Sequence, residues 1–172
     1  VDRITALAGD DMLAGGRGAD HLQGGVGHDT YIFNIGDGVD TIDDVVLPGA
    51  GNRIQFGAGI SQSDLSFVQD EAARTLTIQV GTSGTDRLVL ANFDPRHANG
   101  SLVVAALEFA DGEVVHLIDL YPPNQAPMVA VPVLDQTAAE DSFFTFTVPA
   151  TTFTDGDVSH GDALAYGAFL AD

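Results

Sequence analysis

The feature that most constrains this chain is a period of nine near its N-terminus. Gly15-Gly16-Arg17-Gly18-Ala19-Asp20-His21-Leu22-Gln23 runs directly into Gly24-Gly25-Val26-Gly27-His28-Asp29-Thr30-Tyr31-Ile32. Both segments satisfy G-G-x-G-x-D-x-U-x, where U is a large apolar residue. One frame earlier, Ala6 to Ala14 keeps Gly9, Asp11 and Leu13 but lacks the opening Gly pair. A fourth copy, Gly38-Val39-Asp40-Thr41-Ile42, arrives after two extra residues, so the aspartates fall at 11, 20, 29 and 40, with spacings of nine, nine and eleven. Units this short cannot bury a core one by one; they are stable only when stacked.

The residue types in the repeat have a physical reason. A tight turn that wraps carbonyl oxygens around a cation needs positive φ angles, which Gly reaches at little steric cost. The Asp adds a charged oxygen for a hard cation, which takes six to eight oxygen ligands. The remaining x-U-x is a very short strand with its apolar residue inward: Leu13, Leu22, Tyr31 and Ile42. Two nonapeptides complete one coil, so Asp11 is expected to face the turn carrying Asp29, and Asp20 the turn carrying Asp40. The candidate metal site is therefore Asp11, Asp20, Asp29 and Asp40 with Gly9, Gly16, Gly18, Gly25, Gly27 and Gly38. His21 and His28 occupy outward positions, and imidazole suits a hard ion poorly, so both read as solvated surface.

Charge agrees with a cation as partner. Six Lys and Arg stand against 25 Asp and Glu, a net charge of -19 over 172 residues. Phosphate binding needs Lys and Arg to replace condensed counterions, so a nucleic-acid partner is not expected. Ten Phe and 45% hydrophobic residues argue against disorder. The absence of Cys removes disulfides and thiolate metal sites. Apolar runs are too short for a membrane span, and no signal peptide is visible. The start at Val1 leads to the expectation that the chain is a piece of a longer protein.

The stretch from Gly24 to Asp44 resembles the RTX (repeats-in-toxin) calcium-binding proteins of bacteria, above all in Asp29-Thr30-Tyr31-Ile32-Phe33 and Gly36-Asp37-Gly38-Val39-Asp40-Thr41-Ile42. The resemblance implies a short right-handed parallel β-roll over residues 1–44, holding about two calcium ions. It also implies export, by type I secretion, and folding in external calcium.

Residues 45–121 read as an antiparallel β cap that covers the end of the roll. Thr75-Leu76-Thr77-Ile78-Gln79-Val80 alternates, Gly81 to Gly84 turns, and Asp86-Arg87-Leu88-Val89-Leu90 returns. A second hairpin joins Ala106-Leu107-Glu108-Phe109 to Val114-Val115-His116-Leu117 across Asp111-Gly112. Arg53–Phe56 and Leu65–Val68 supply two more strands. Gly49-Ala50-Gly51-Asn52-Arg53-Ile54 resembles a decayed fifth repeat; its Asp is gone, so no complete site is expected there. Asp43 and Asp44 read as solvated loop acids, or else as one further ligand.

Pro122 to Pro127 reads as a stiff linker, residues 122–127. Beyond it, Met128 to Val133 and Phe143 to Val148 read as strands. Asn124-Gln125-Ala126-Pro127, Glu140-Asp141-Ser142, Phe153-Thr154-Asp155-Gly156-Asp157 and Gly161-Asp162-Ala163-Leu164-Ala165-Tyr166 resemble cadherin-like, dystroglycan-type repeats. Residues 128–172 amount to about half of an immunoglobulin-like sandwich of about 100 residues. Glu140, Asp155, Asp157 and Asp162 are a second candidate calcium set. An incomplete sandwich leaves an apolar surface, for which self-association with a second copy is the expected cover and docking onto the cap of its own chain the alternative.

The expected class is all-β, and the expected role is non-catalytic. No nucleophile elbow, zinc-binding helix motif or phosphate loop occurs. The sequence reads as a calcium-binding structural module of a large secreted or surface-attached, adhesin-like bacterial protein. The alternative is an accessory module of a secreted hydrolase or polysaccharide-modifying enzyme.

Overall fold

A computed structural model describes residues 1–44, 51–94, 102–122, 128–134, 145, 147–149 and 151–154. The chain is mostly β and divides into two units, Val1–Pro123 and Asn124–Asp172. Among the described residues, no helix is long and apolar enough to cross a membrane.

Alternate strands of the repeats go to opposite sheets. β1 (Arg3–Thr5), β3 (His21–Gln23) and β5 (Val39–Asp43) pair in parallel in one sheet. β2 (Met12–Ala14) and β4 (Thr30–Phe33) pair in parallel in the other. Each three-residue strand is too short to stand alone; its single inward side chain is what it contributes. Register places Ile4, Leu22 and Ile42 in one row and Leu13 and Tyr31 in the other. Leu22, Ile42, Leu13 and Tyr31 are at most 3% exposed and belong to one hydrophobic core. Burying each of Leu13, Leu22 and Ile42 contributes roughly 1.5–3 kcal/mol.

The middle region corrects the sequence reading. Its strands were expected to form an antiparallel cap, yet β6 (Arg53–Phe56) pairs in parallel with β4, in register from Thr30↔Arg53 to Phe33↔Phe56. β9 (Asp86–Ala91) likewise pairs in parallel with β5, and β10 (Ala106–Glu108) with β6. Both parallel ladders thus run past residue 44. The inward rows continue through Leu90 in the first sheet and through Ile54 and Leu107 in the second. Only the outermost strands are antiparallel. β7 (Leu65–Asp70) and β8 (Thr75–Val80) complete a six-stranded sheet, and β11 (Val114–His116) a five-stranded one.

The two predicted hairpins are present. Leu76, Ile78 and Val80 on β8 and Leu88 and Leu90 on β9 are buried, as their alternation requires. Leu117 leaves the second hairpin to begin a short helix, α1 (Leu117–Leu120), and is itself buried. Aromatic rings add to the core: Phe56 stacks on Phe109 at 5.3 Å between centroids, and Phe93 meets Tyr121 edge-on at 5.0 Å.

In the second unit the strand expected over Met128 to Val133 is reduced to β12 (Met128–Val129), antiparallel to β13 (Phe153–Thr154). Val129, Val131 and Val133 are all exposed. Thr145, Thr147 and Val148 of the strand expected from Phe143 to Val148 are not in a strand, while Phe143, Phe144 and Phe146, residues 123–127 of the linker, and the candidate set Glu140, Asp155, Asp157 and Asp162 lie outside the described residues.

Candidate metal centre

The nonapeptide turns stack directly over one another. Gly9 N donates to Val26 O at 2.8 Å and Val26 N to Leu7 O at 3.0 Å, while Gly18 N donates to Asp37 O at 2.7 Å. Gly9, Gly16, Gly18, Gly25, Gly27 and Gly38 all adopt positive φ, as predicted. Close approach adds a second demand at Gly27 (φ +154°) and Gly38 (φ +99°), where a Cβ would overlap the carbonyls of Gly9 and Gly18 respectively.

Stacking builds two columns of carboxylates. Asp29 Oδ1 accepts the backbone N–H of Asp11 at 2.9 Å, and Asp40 Oδ1 accepts that of Asp20 at 3.0 Å. The pairs Asp11–Asp29 and Asp20–Asp40 therefore face each other across one coil, as the spacing required. Asp2 donates its N–H to Asp20 Oδ1 in the same manner. Asp2 lies nine residues before Asp11 and was missed by the sequence reading, although that interval alone marks it as a further repeat position. On the other column, Asn52 Oδ1 accepts the Asp29 N–H at 2.8 Å. The decayed fifth repeat thus keeps the geometry of the ladder with a neutral side chain.

The second oxygen of three ladder aspartates has no such partner. Oδ2 of Asp20, Asp29 and Asp40 is buried without a hydrogen bond among the described residues. Small residues make room beside two of them. A Cβ at Gly15 would lie 2.9 Å from Asp20 Oδ2, and one at Gly24 would overlap Asp29 Oδ2. Neither Gly15 nor Gly24 was in the predicted set, though each opens a Gly pair of the repeat. Asp11, by contrast, is half-buried.

Burial shows in the proton affinity of Asp40 and Asp29. Asp40 is pushed up from 3.8 to about 6, chiefly by burial, against the opposing Asp20 N–H bond and with help from the charges of Asp20 and Asp37. Asp29 is also pushed up, first by burial, with the Asp11 N–H opposing and Asp44, Asp11 and Asp10 adding repulsion. A buried carboxylate that lacks a partner takes up a proton or a cation. The donor set fits calcium: charged and carbonyl oxygens with no nitrogen or sulfur. Among the described residues no group of three or more acidic, His or Cys side chains converges on one point. Backbone carbonyls and water would therefore have to supply most of the six to eight ligands.

Other expected residues take different roles. Asp44 is buried and satisfied: its Oδ1 accepts Gly25 N–H at 2.9 Å, and its Oδ2 accepts Asn52 Nδ2 at 2.9 Å and the Tyr31 hydroxyl. Burial and then the Asp44 hydrogen bond push the Tyr31 hydroxyl up, out of the titrating range. Asp43 instead accepts Asn92 Nδ2 at 2.8 Å. His28 is exposed and its Nδ1 accepts the Gly51 N–H at 3.0 Å. His21 corrects the reading of a solvated side chain: Nε2 is buried without a hydrogen bond and lies 3.6 Å from Asp43 Oδ2.

Residues 1–31 match the RTX calcium-binding nonapeptide repeat, in four copies. Such repeats bind calcium and are typical of secreted proteins. The match covers the turns that carry Asp2, Asp11, Asp20 and Asp29 and stops short of Asp40. Among curated proteins, none matches the chain.

Proposed function

We propose that the chain is a calcium-dependent structural module of a secreted or surface-attached bacterial protein, and that residues 1–44 form a right-handed parallel β-roll that closes on calcium. The role is non-catalytic. One observation carries the reading: the three buried Oδ2 atoms of Asp20, Asp29 and Asp40, each without a hydrogen-bond partner among the described residues, sit at the ligand position of the repeat. About two ions would bridge Asp11 to Asp29 and Asp20 to Asp40. Dissociation constants on the order of 10⁻⁴ to 10⁻³ M suit an extracellular module, because calcium is abundant there and scarce inside the cell. The described strands of residues 45–121 extend both parallel ladders and end them with antiparallel strands, and residues 128–172 belong to a cadherin-like domain, which gives the parent protein an adhesin-like character and a surface for self-association.

Circular dichroism tests the reading. The chain in chelator is expected to keep a weakened β spectrum and to gain the remainder as calcium is added through the millimolar range. A β spectrum that is identical with and without calcium refutes it.

A further inference from the structure

Two acidic side chains outside the ligand positions hold the turns that carry Asp29 and Asp40. Asp44 accepts the Gly25 N–H, and Tyr31, which donates its hydroxyl to Asp44, accepts the Gly24 N–H at 2.9 Å. Asp86 reaches the next turn from β9. Its Oδ2 accepts the Gly36 N–H at 2.8 Å and its Oδ1 the Gly38 N–H at 3.2 Å, across 50 and 48 residues of sequence. Asp44 is 2% and Asp86 8% exposed, so these charge-assisted bonds form away from bulk water. Asn52 Nδ2 keeps the Asp44 carboxylate in place from the far side. Neither acid belongs to the stacked ladder that offers free oxygens.

We propose that Asp44 and Asp86 are positioning residues for cation binding: Asp44 fixes the Gly24–Asp29 turn and Asp86 the Asn34–Asp40 turn before the ion arrives. Gly-rich backbone is the costliest to order. A turn already held by carboxylate–amide bonds spends less of the binding free energy on ordering, and so binds its ion more tightly. Asp44 also adds its charge to the field at Asp29, on the column where Asn52 has replaced a charged ladder residue. The assignment rests on the calcium reading above.

Calcium titration by isothermal calorimetry of the full chain, Asp44→Asn, Asp86→Asn and Asp119→Asn separates the possibilities. Asp119 lies exposed on α1, so its variant removes one charge without touching a turn. The expected result is a half-saturation point roughly tenfold higher for Asp44→Asn and Asp86→Asn than for Asp119→Asn, equivalent to ~1.4 kcal/mol. The number of bound ions and the circular dichroism at saturating calcium should match the parent. Affinities equal to that of Asp119→Asn overturn the assignment. A β spectrum lost even at saturating calcium overturns it too, since the side chains would then be supports of the fold alone. A parent chain that binds no calcium removes the calcium reading and the assignment with it.

Discussion

Replacing Asp40 by Asn should move stability in opposite directions with and without calcium. In the calcium-free chain, ionised Asp40 is a liability, because its carboxyl is pushed up from 3.8 to about 6 by burial. At ~1.4 kcal/mol per pKa unit, ionising it in the fold at neutral pH costs about 3 kcal/mol relative to the unfolded chain. Asn removes that cost. It keeps the bond from the Asp20 N–H through Oδ1, as Asn52 already does for the Asp29 N–H at 2.8 Å. It also buries an amide N–H₂ where Oδ2 now sits, which costs about 1–3 kcal/mol if nothing accepts from it. The balance in chelator runs from about zero to a gain of ~2 kcal/mol. With calcium at about 100 times its dissociation constant, one lost ion removes ~2.7 kcal/mol. The variant should therefore equal or exceed the parent in chelator and fall below it in calcium. Urea unfolding followed by circular dichroism under both conditions measures this. If Asp40→Asn is destabilised equally in both, the free oxygen is not directed at a cation and the reasoning fails.

Three further outcomes follow from the same geometry. Because Asp40 and Asp29 bind protons more tightly folded than unfolded, the calcium-free fold should lose stability as pH rises from about 4 through about 6, while calcium affinity should rise over the same interval; denaturant midpoints and calcium titrations at several pH values check both signs. Asp29→Ala should abolish one bound ion, whereas Asp10→Ala, which loses only an exposed acceptor for the His28 N–H, should keep the parent's ion count by calorimetry. A chain ending at Tyr121 should retain its calcium-induced β spectrum, because the core formed by the described residues lies within it, and light scattering should find it monomeric while the 172-residue chain self-associates.

Much of the candidate site was legible because the repeat writes its geometry locally. The Gly positions, the ladder aspartates and the inward Leu13, Leu22, Tyr31 and Ile42 all sit within nine residues of their own turn. The β8–β9 hairpin was legible for the same reason. What escaped was non-local. Alternation in Arg53–Phe56 and in Asp86–Leu90 reads the same for a parallel as for an antiparallel neighbour, so nothing in either segment announces β4 or β5 as partner. Asp86 looks like an ordinary hairpin acid until the fold brings it to Gly36 and Gly38. Asp44 followed another acid and read as a spare ligand. Its partners Gly25, Tyr31 and Asn52 lie on three different segments, and only the coil assembles them.

The stacking of the Asp11 turn on the Asp29 turn, 18 residues away, also has a mechanical consequence. One such coil advances the molecule by a single inter-strand spacing, about 4.8 Å. The same stretch pulled straight would span roughly 60 Å. Every coil that opens under load therefore pays out about 55 Å of chain, and every coil that closes reels it back. With calcium as the latch on each coil, the stretch between two anchored ends would lengthen in discrete steps, and the tension at which each step occurs would be set by the calcium concentration of the surroundings.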